Sequence, residues 1–205
     1  MSNQYNRTIN VGQLMIELYI LNTSTIESHL TSTCLSLSKR STLSVLSQDI
    51  IRFLISRKVN MNPSGIKIEK DKYGKKFVDQ KVGIHFNISY SGDWMVIGMS
   101  RSPIGVDIER IRTIDYKNIS RHFSLCEQQY IQGINQSVAE KEFFRIWTGK
   151  ESFVKYMGKG LKMPLHSFSI PTQPGLGYVD TGCEDIKPRL LSFELGGEYS
   201  ISMCF

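Results

Sequence analysis

Three carboxylates and two lysines stand in two short segments at spacings suited to handling a metal-bound phosphate. The segments are Gly105-Val106-Asp107-Ile108-Glu109 and Trp147-Thr148-Gly149-Lys150-Glu151-Ser152-Phe153-Val154-Lys155. In the first, apolar and acidic residues alternate, so a strand sends Val106 and Ile108 to the core and Asp107 and Glu109 to the opposite face. In the second, Glu151 and Lys155 are four apart and share one face of a helix. Oxygen ligands from two or three carboxylates suit Mg²⁺, which keeps some waters and takes its remaining ligands from substrate phosphates. Each segment also has a plainer reading. Asp107 and Glu109 fit the solvated face of a strand, and Glu151 with Lys155 fits a helix-surface ion pair worth roughly 0.3–0.5 kcal/mol. Two adjacent acids on one face repel, however, and a cation relieves them.

Positioning these groups requires a strand ending near Glu109 and a helix reaching past Lys155. The pattern supplies both. Leu14, Ile16, Leu18 and Ile20 alternate in a first strand over Val11–Leu21, and Leu43, Leu46, Ile50, Phe53 and Leu54 recur at helical spacing over about 42–58. Short strands are expected at Ile66–Glu69, Lys76–Val78, Ile84–Ser89, Trp94–Met99 and Ile104–Glu109, separated by Gly- and Pro-containing turns. Ser124 with Glu127, and Ser137 with Glu140, fit Ser-x-x-Glu capping boxes, so helices should begin near 125 and 138. The second should stop at Gly158, with Phe143, Ile146, Trp147, Val154 and Met157 as its buried stripe and Lys150, Glu151 and Lys155 near the edge. A closing hairpin turns at Gly196-Gly197, between Leu191, Phe193 and Leu195 on one side and Tyr199, Ile201 and Met203 on the other.

With 205 residues, 40% of them apolar, the chain can fill the core of one large or two small domains. The apolar run from Val11 carries Glu17, and the single alanine is Ala139, which argues against a secretory signal. Nothing approaches a membrane span. The four cysteines (34, 126, 183 and 204) lack CxxC spacing and read as reduced, mostly packed thiols of a cytoplasmic protein. The net charge of +6 suits an acidic protein or a polyphosphate. Its lysines are interleaved with acids and glycines, which disfavours a nucleic-acid stripe.

Phe86-Asn87-Ile88-Ser89-Tyr90-Ser91-Gly92, Gly105–Glu109 and Phe144–Leu161, read together and in order, resemble the three blocks of the 4′-phosphopantetheinyl transferases, specifically the longer Sfp-type enzymes. The likeness runs from about Leu43 to Ile170. It implies an α+β fold of two similar α/β lobes related by a pseudo-twofold, residues 1–103 on the nucleotide side and 104–205 carrying metal and catalytic groups, with the active site in the cleft between them. It also implies transfer of 4′-phosphopantetheine from coenzyme A to a serine of an acidic acyl or peptidyl carrier protein, of fatty-acid, polyketide or nonribosomal-peptide type, with release of adenosine 3′,5′-bisphosphate. A monomer is expected.

By the same resemblance, Asp107, Glu109 and Glu151 hold Mg²⁺, with Mn²⁺ as the alternative ion, and Lys155 and Lys150 sit at the phosphates. Glu127 matches an acid considered as proton acceptor, although its capping box with Ser124 is an equal reading. Either Glu151 or Glu127 would take the serine proton. Lys75 and the Ser89-Tyr90 pair match contacts to the nucleotide end of coenzyme A, with two departures: Lys76 replaces a usual proline and Tyr90 a usual histidine. A third departure is Ser28–Thr33, where several cations are usual. These departures leave a second reading open, a catalytically silent relative that binds carrier proteins.

Overall fold

The computed structural model describes residues 5–11, 14–25, 39–185 and 187–205, and among these ten strands and, besides a helical turn at 23–25, four α-helices make a mixed α+β protein. Period-two alternation builds two four-stranded antiparallel sheets. The first has the order β1 (Tyr5–Val11), β2 (Leu14–Asn22), β6 (Trp94–Ser100), β5 (His85–Ser91), and the second β7 (Gly105–Arg110), β10 (Tyr199–Cys204), β9 (Arg189–Leu195), β8 (Gly175–Tyr178). A small hairpin, β3 (Ile68–Lys70) with β4 (Lys76–Val78), completes the strands.

Successive side chains of a strand face opposite ways, and here both faces are covered. Met95, Ile97 and Met99 of β6 pack with Ile51 and Ile55 of helix α1 (Lys39–Val59), while Val96 points the other way. There it joins Ile16, Leu18 and Ile20 of β2, Val106 and Ile108 of β7, and Ile201 and Met203 of β10. One apolar layer is thus shared between the two sheets. The outer face of the second sheet is covered by helix α4 (Gln136–Met157), whose Phe143, Phe144, Ile146 and Phe153 cluster with Leu190 and Cys204. The remaining helices, α2 (Tyr116–Ser120) and α3 (Leu125–Gly133), lead into α4.

Several expectations shift. A separate strand, β1, precedes the first expected one; its Tyr5, Ile9 and Val11 alternate with Asn6, Thr8 and Asn10, but Arg7 interrupts the apolar set. Helix α4 starts at Gln136 rather than near 138, because Asn135 Oδ1 accepts from Ser137 N and caps the helix. Helix α2 and strand β8 have no periodic signal. Of the described cysteines only Cys204 is buried, while Cys126 and Cys183 are exposed, so the thiols are not mostly packed; Cys34 lies outside the described residues, as do Ser28–Thr33. No described helix is long and apolar enough to cross a membrane.

Two contacts bring the site together. Gly105 opens β7 directly against α4, where a Cβ would stand 2.0 Å from Ser152 O and 2.4 Å from Tyr156 N. No other residue type fits there without moving the helix. The edge strands β5 and β7 of the two sheets are joined by side chains: Val106 N donates to Asn87 Oδ1 at 2.8 Å, Ser89 Oγ to Asp107 Oδ1 at 2.7 Å, and Arg110 N to Ser91 Oγ at 2.9 Å.

Candidate active site

Strand alternation turns Asp107 and Glu109 away from the shared core toward α4, as the sequence pattern requires. Lys155 comes from the last turn of α4 to meet them. Its ammonium donates to Asp107 Oδ1 at 2.7 Å, to Ser89 Oγ at 2.9 Å and to Val106 O at 3.1 Å. Ser89 Oγ in turn donates to Asp107 Oδ1, so that oxygen is held from two sides. Asp107 Oδ2 is different. It is buried, and among the described residues no donor reaches it.

Glu109 and Glu151 flank this carboxylate. Burial pushes the Glu109 carboxyl above the ordinary carboxylate range and the charge of Asp107 pushes it further, against hydrogen bonds from Ser91 and Arg112. Glu151 is raised in the same way, by burial first and then by Asp107, with Lys155 opposing. The charge of Asp107 therefore raises both of its neighbours, and the three do not converge into a ready-made metal cluster among the described residues. An all-oxygen donor set with one bare buried oxygen fits a hard divalent cation.

Glu127 and Lys150 stand apart from this group and are both fully buried. They pair with each other at 2.7 Å. Glu127 also accepts from Ser124 N at 2.9 Å and Ile170 N at 2.8 Å, and Lys150 donates to Leu165 O at 2.7 Å and Phe168 O at 2.9 Å. The rings of Phe168 and Phe123 lie 4.2 and 5.4 Å from the ammonium. Lys150 is thus not at the edge of the α4 stripe but inside it. Its ammonium faces the 165–168 carbonyls instead of a phosphate, and the pair uses its hydrogen-bonding capacity on protein groups.

The sequence-level reading passed over Asn87 and Ser91. Their signal was present, because Asn87, Ser89 and Ser91 are polar at every second residue of β5 while Phe86 on its other face is buried.

Residues 103–204 match the 4′-phosphopantetheinyl transferase superfamily. The chain is 31% identical over 161 residues to the 4′-phosphopantetheinyl transferase Sfp of Bacillus subtilis (strain 168), an alignment covering 78% of this chain and 72% of that protein. It belongs to this superfamily. It is also similar to the 4′-phosphopantetheinyl transferase gsp of Aneurinibacillus migulanus (41% over 127 residues, 62% of this chain and 53% of that one) and to psf-1 of Bacillus pumilus (36% over 161 residues, 78% and 69%). The chain therefore spans about half the length of one of these curated relatives and about seven-tenths of the other two.

A cleft of about 320 Å³ is lined by Tyr73, Lys75 and Tyr90 together with Glu151 and Lys155 of α4. A larger hollow of about 710 Å³, lined by Asp49, Arg52 and Lys67 among others, contains none of the site carboxylates and has no chemistry assembled around it. Tyr90 is partly exposed in the cleft, and burial raises its hydroxyl pKa. Ser89 is buried and engaged with Asp107 and Lys155, so its hydroxyl supports the carboxylate site rather than standing free for a nucleotide phosphate. Lys75 also lines this cleft, but its ammonium donates to main-chain carbonyls.

Proposed function

We propose that the protein transfers 4′-phosphopantetheine from coenzyme A to a serine hydroxyl of an acyl or peptidyl carrier protein, releasing adenosine 3′,5′-bisphosphate. The observation that carries this reading is Asp107, with one oxygen locked by Ser89 and Lys155 and the other bare between two carboxylates of raised pKa. Asp107, Glu109 and Glu151 would hold Mg²⁺ or Mn²⁺, which when bound neutralises charge on the pyrophosphate. As the serine oxygen attacks the pantetheine-bearing phosphorus, Glu151 takes the serine proton directly or through a water. The bridging P–O bond breaks, and Lys155 moves its ammonium from Asp107 toward the departing phosphate. Glu127 is a poorer base, since both of its oxygens already accept hydrogen bonds.

The two sheets correspond in this reading to the two lobes, divided near residue 103, and a single chain supplies both walls of the cleft. A monomer and an acidic carrier partner follow from that arrangement and from the net charge of +6. The test is to incubate the protein with coenzyme A, Mg²⁺ and apo-carriers from fatty-acid, polyketide and nonribosomal-peptide systems and then weigh the carriers. At least one should gain one phosphopantetheine. If none does at high enzyme concentration while one is still bound, the protein is a carrier-binding relative without activity.

A further inference from the structure

The Lys75 ammonium binds three main-chain carbonyls contributed by two other elements. It donates to Lys155 O, and to Tyr156 O and Ile104 O at 3.4 Å each. The first two belong to the last turn of α4, at the negative end of its dipole, and of the two Lys155 O also accepts from the capping Gly158 N at 3.3 Å. The third lies immediately before β7. Gly158 ends α4 at φ +65, in the left-handed conformation that favours glycine, and Lys75 Cδ lies 3.7 Å from where a Cβ would project there. The lysine stem is therefore packed against the helix terminus. Its own backbone is fixed as well: Asp71 Oδ1 accepts from Tyr73 N at 2.8 Å and Lys75 N at 2.9 Å, and Asp71 N donates to Lys75 O at 2.9 Å.

We propose that Lys75 is a positioning residue, a latch that fixes the β3–β4 turn, the start of β7 and the end of α4 to one another. The turn and α4 line the cleft, the helix through Glu151 and Lys155, and β7 carries Asp107 and Glu109 beside it, where Asp107 meets Lys155. The carbonyl that Lys75 holds belongs to Lys155, whose side chain reaches back to Asp107. Loss of the latch lets the turn drift relative to the reacting groups, and a displacement of about 1 Å can lower rates on the order of a hundredfold. This differs from a lysine that binds a phosphate of coenzyme A through its charge. Burial lowers the Lys75 pKa while Asp71 counteracts it, as befits an amine withdrawn from solvent.

The kinetic part of the test rests on the transferase reading, and the exchange part does not. In the native protein, amide exchange at Tyr73 and Lys75 should share one opening transition with exchange at Gly158, with the same denaturant dependence. Coenzyme A without metal should slow all three. In Lys75→Met, which keeps the stem and removes the charge, protection at the turn and at the helix end should fall together, and kcat should drop roughly ten- to a hundredfold. The ratio of KM values for coenzyme A and 3′-dephospho-coenzyme A should stay as in the native enzyme, and Lys75→Arg should recover most of the loss. Separate opening transitions in the native protein would overturn the latch. So would a Lys75→Met variant that loses only its preference for coenzyme A over the dephosphorylated form, which would make Lys75 a phosphate ligand. Failure of the native protein to modify any carrier would count against the transferase reading and leave the exchange comparison to decide the latch.

Discussion

Two carboxylate–lysine pairs bridge to α4, both at 2.7 Å, and they have opposite characters. Glu127 and Lys150 have no exposure, and their polar atoms meet protein partners at the start of α3, in the 165–170 segment and in each other. Asp107 and Lys155 stand beside an open cleft, with one carboxylate oxygen bare and two further acids close enough to feel its charge. A buried ion pair is costly to assemble and tolerable when every lone pair and proton is satisfied. The saturated pair therefore serves the fold, and the unsaturated one has capacity left for a cation and a substrate.

The largest effect should come from breaking the saturated pair. Glu127→Ala leaves the Lys150 ammonium without a countercharge and the Ser124 and Ile170 amides without acceptors, so unfolding in urea should show a loss of about 3–5 kcal/mol. A fully stable Glu127→Ala variant that has lost only activity would make Glu127 a catalytic group and erase the contrast.

Asp107→Ala should do the reverse. Turnover should fall by at least roughly a hundredfold, the scale of losing one strong transition-state stabiliser. Thermal unfolding should change little, because the substitution also removes the charge that raises the pKa values of Glu109 and Glu151, and Lys155 retains Ser89 Oγ and Val106 O as partners. Near-normal turnover in a folded variant would remove Asp107 from the chemistry.

The smallest effect concerns Tyr90. A neutral hydroxyl contributes no charge to a nucleotide phosphate, and charge-assisted hydrogen bonds are about twice as strong as neutral ones. Coenzyme A and 3′-dephospho-coenzyme A should therefore differ only a few-fold in KM. Tyr90→His should widen the gap near pH 6, where an imidazole of ordinary pKa ≈ 6.5 is largely charged. Strong discrimination by the native protein, or no change in Tyr90→His, would place the phosphate elsewhere.

What the sequence disclosed depended on how local each cause was. Alternation in β7 fixed which way Asp107 and Glu109 face, and the spacing of Glu151 and Lys155 put both on the wall of one cleft. The burial of Lys150 was also legible in principle, since Phe143, Ile146, Lys150 and Phe153 step by three, four and three along one buried helix face. Its charge masked the pattern, because its countercharge, Glu127, lies 23 positions earlier, on a different helix. The direction of Lys75 was not legible, as its acceptors are main-chain carbonyls 29, 80 and 81 residues away, and carbonyls leave no mark in side-chain sequence. Strand β1 escaped notice because its pairing with β2 depends on backbone groups that every residue type carries.

The contrast between the two pairs is tested most directly by Mn²⁺ titration followed by electron paramagnetic resonance, with native protein and the Asp107→Ala variant in parallel and no substrate present. The account predicts one saturable site in the native protein, competed by Mg²⁺ and absent in Asp107→Ala. Equal binding by the two proteins, or no saturable binding by the native one, would contradict it.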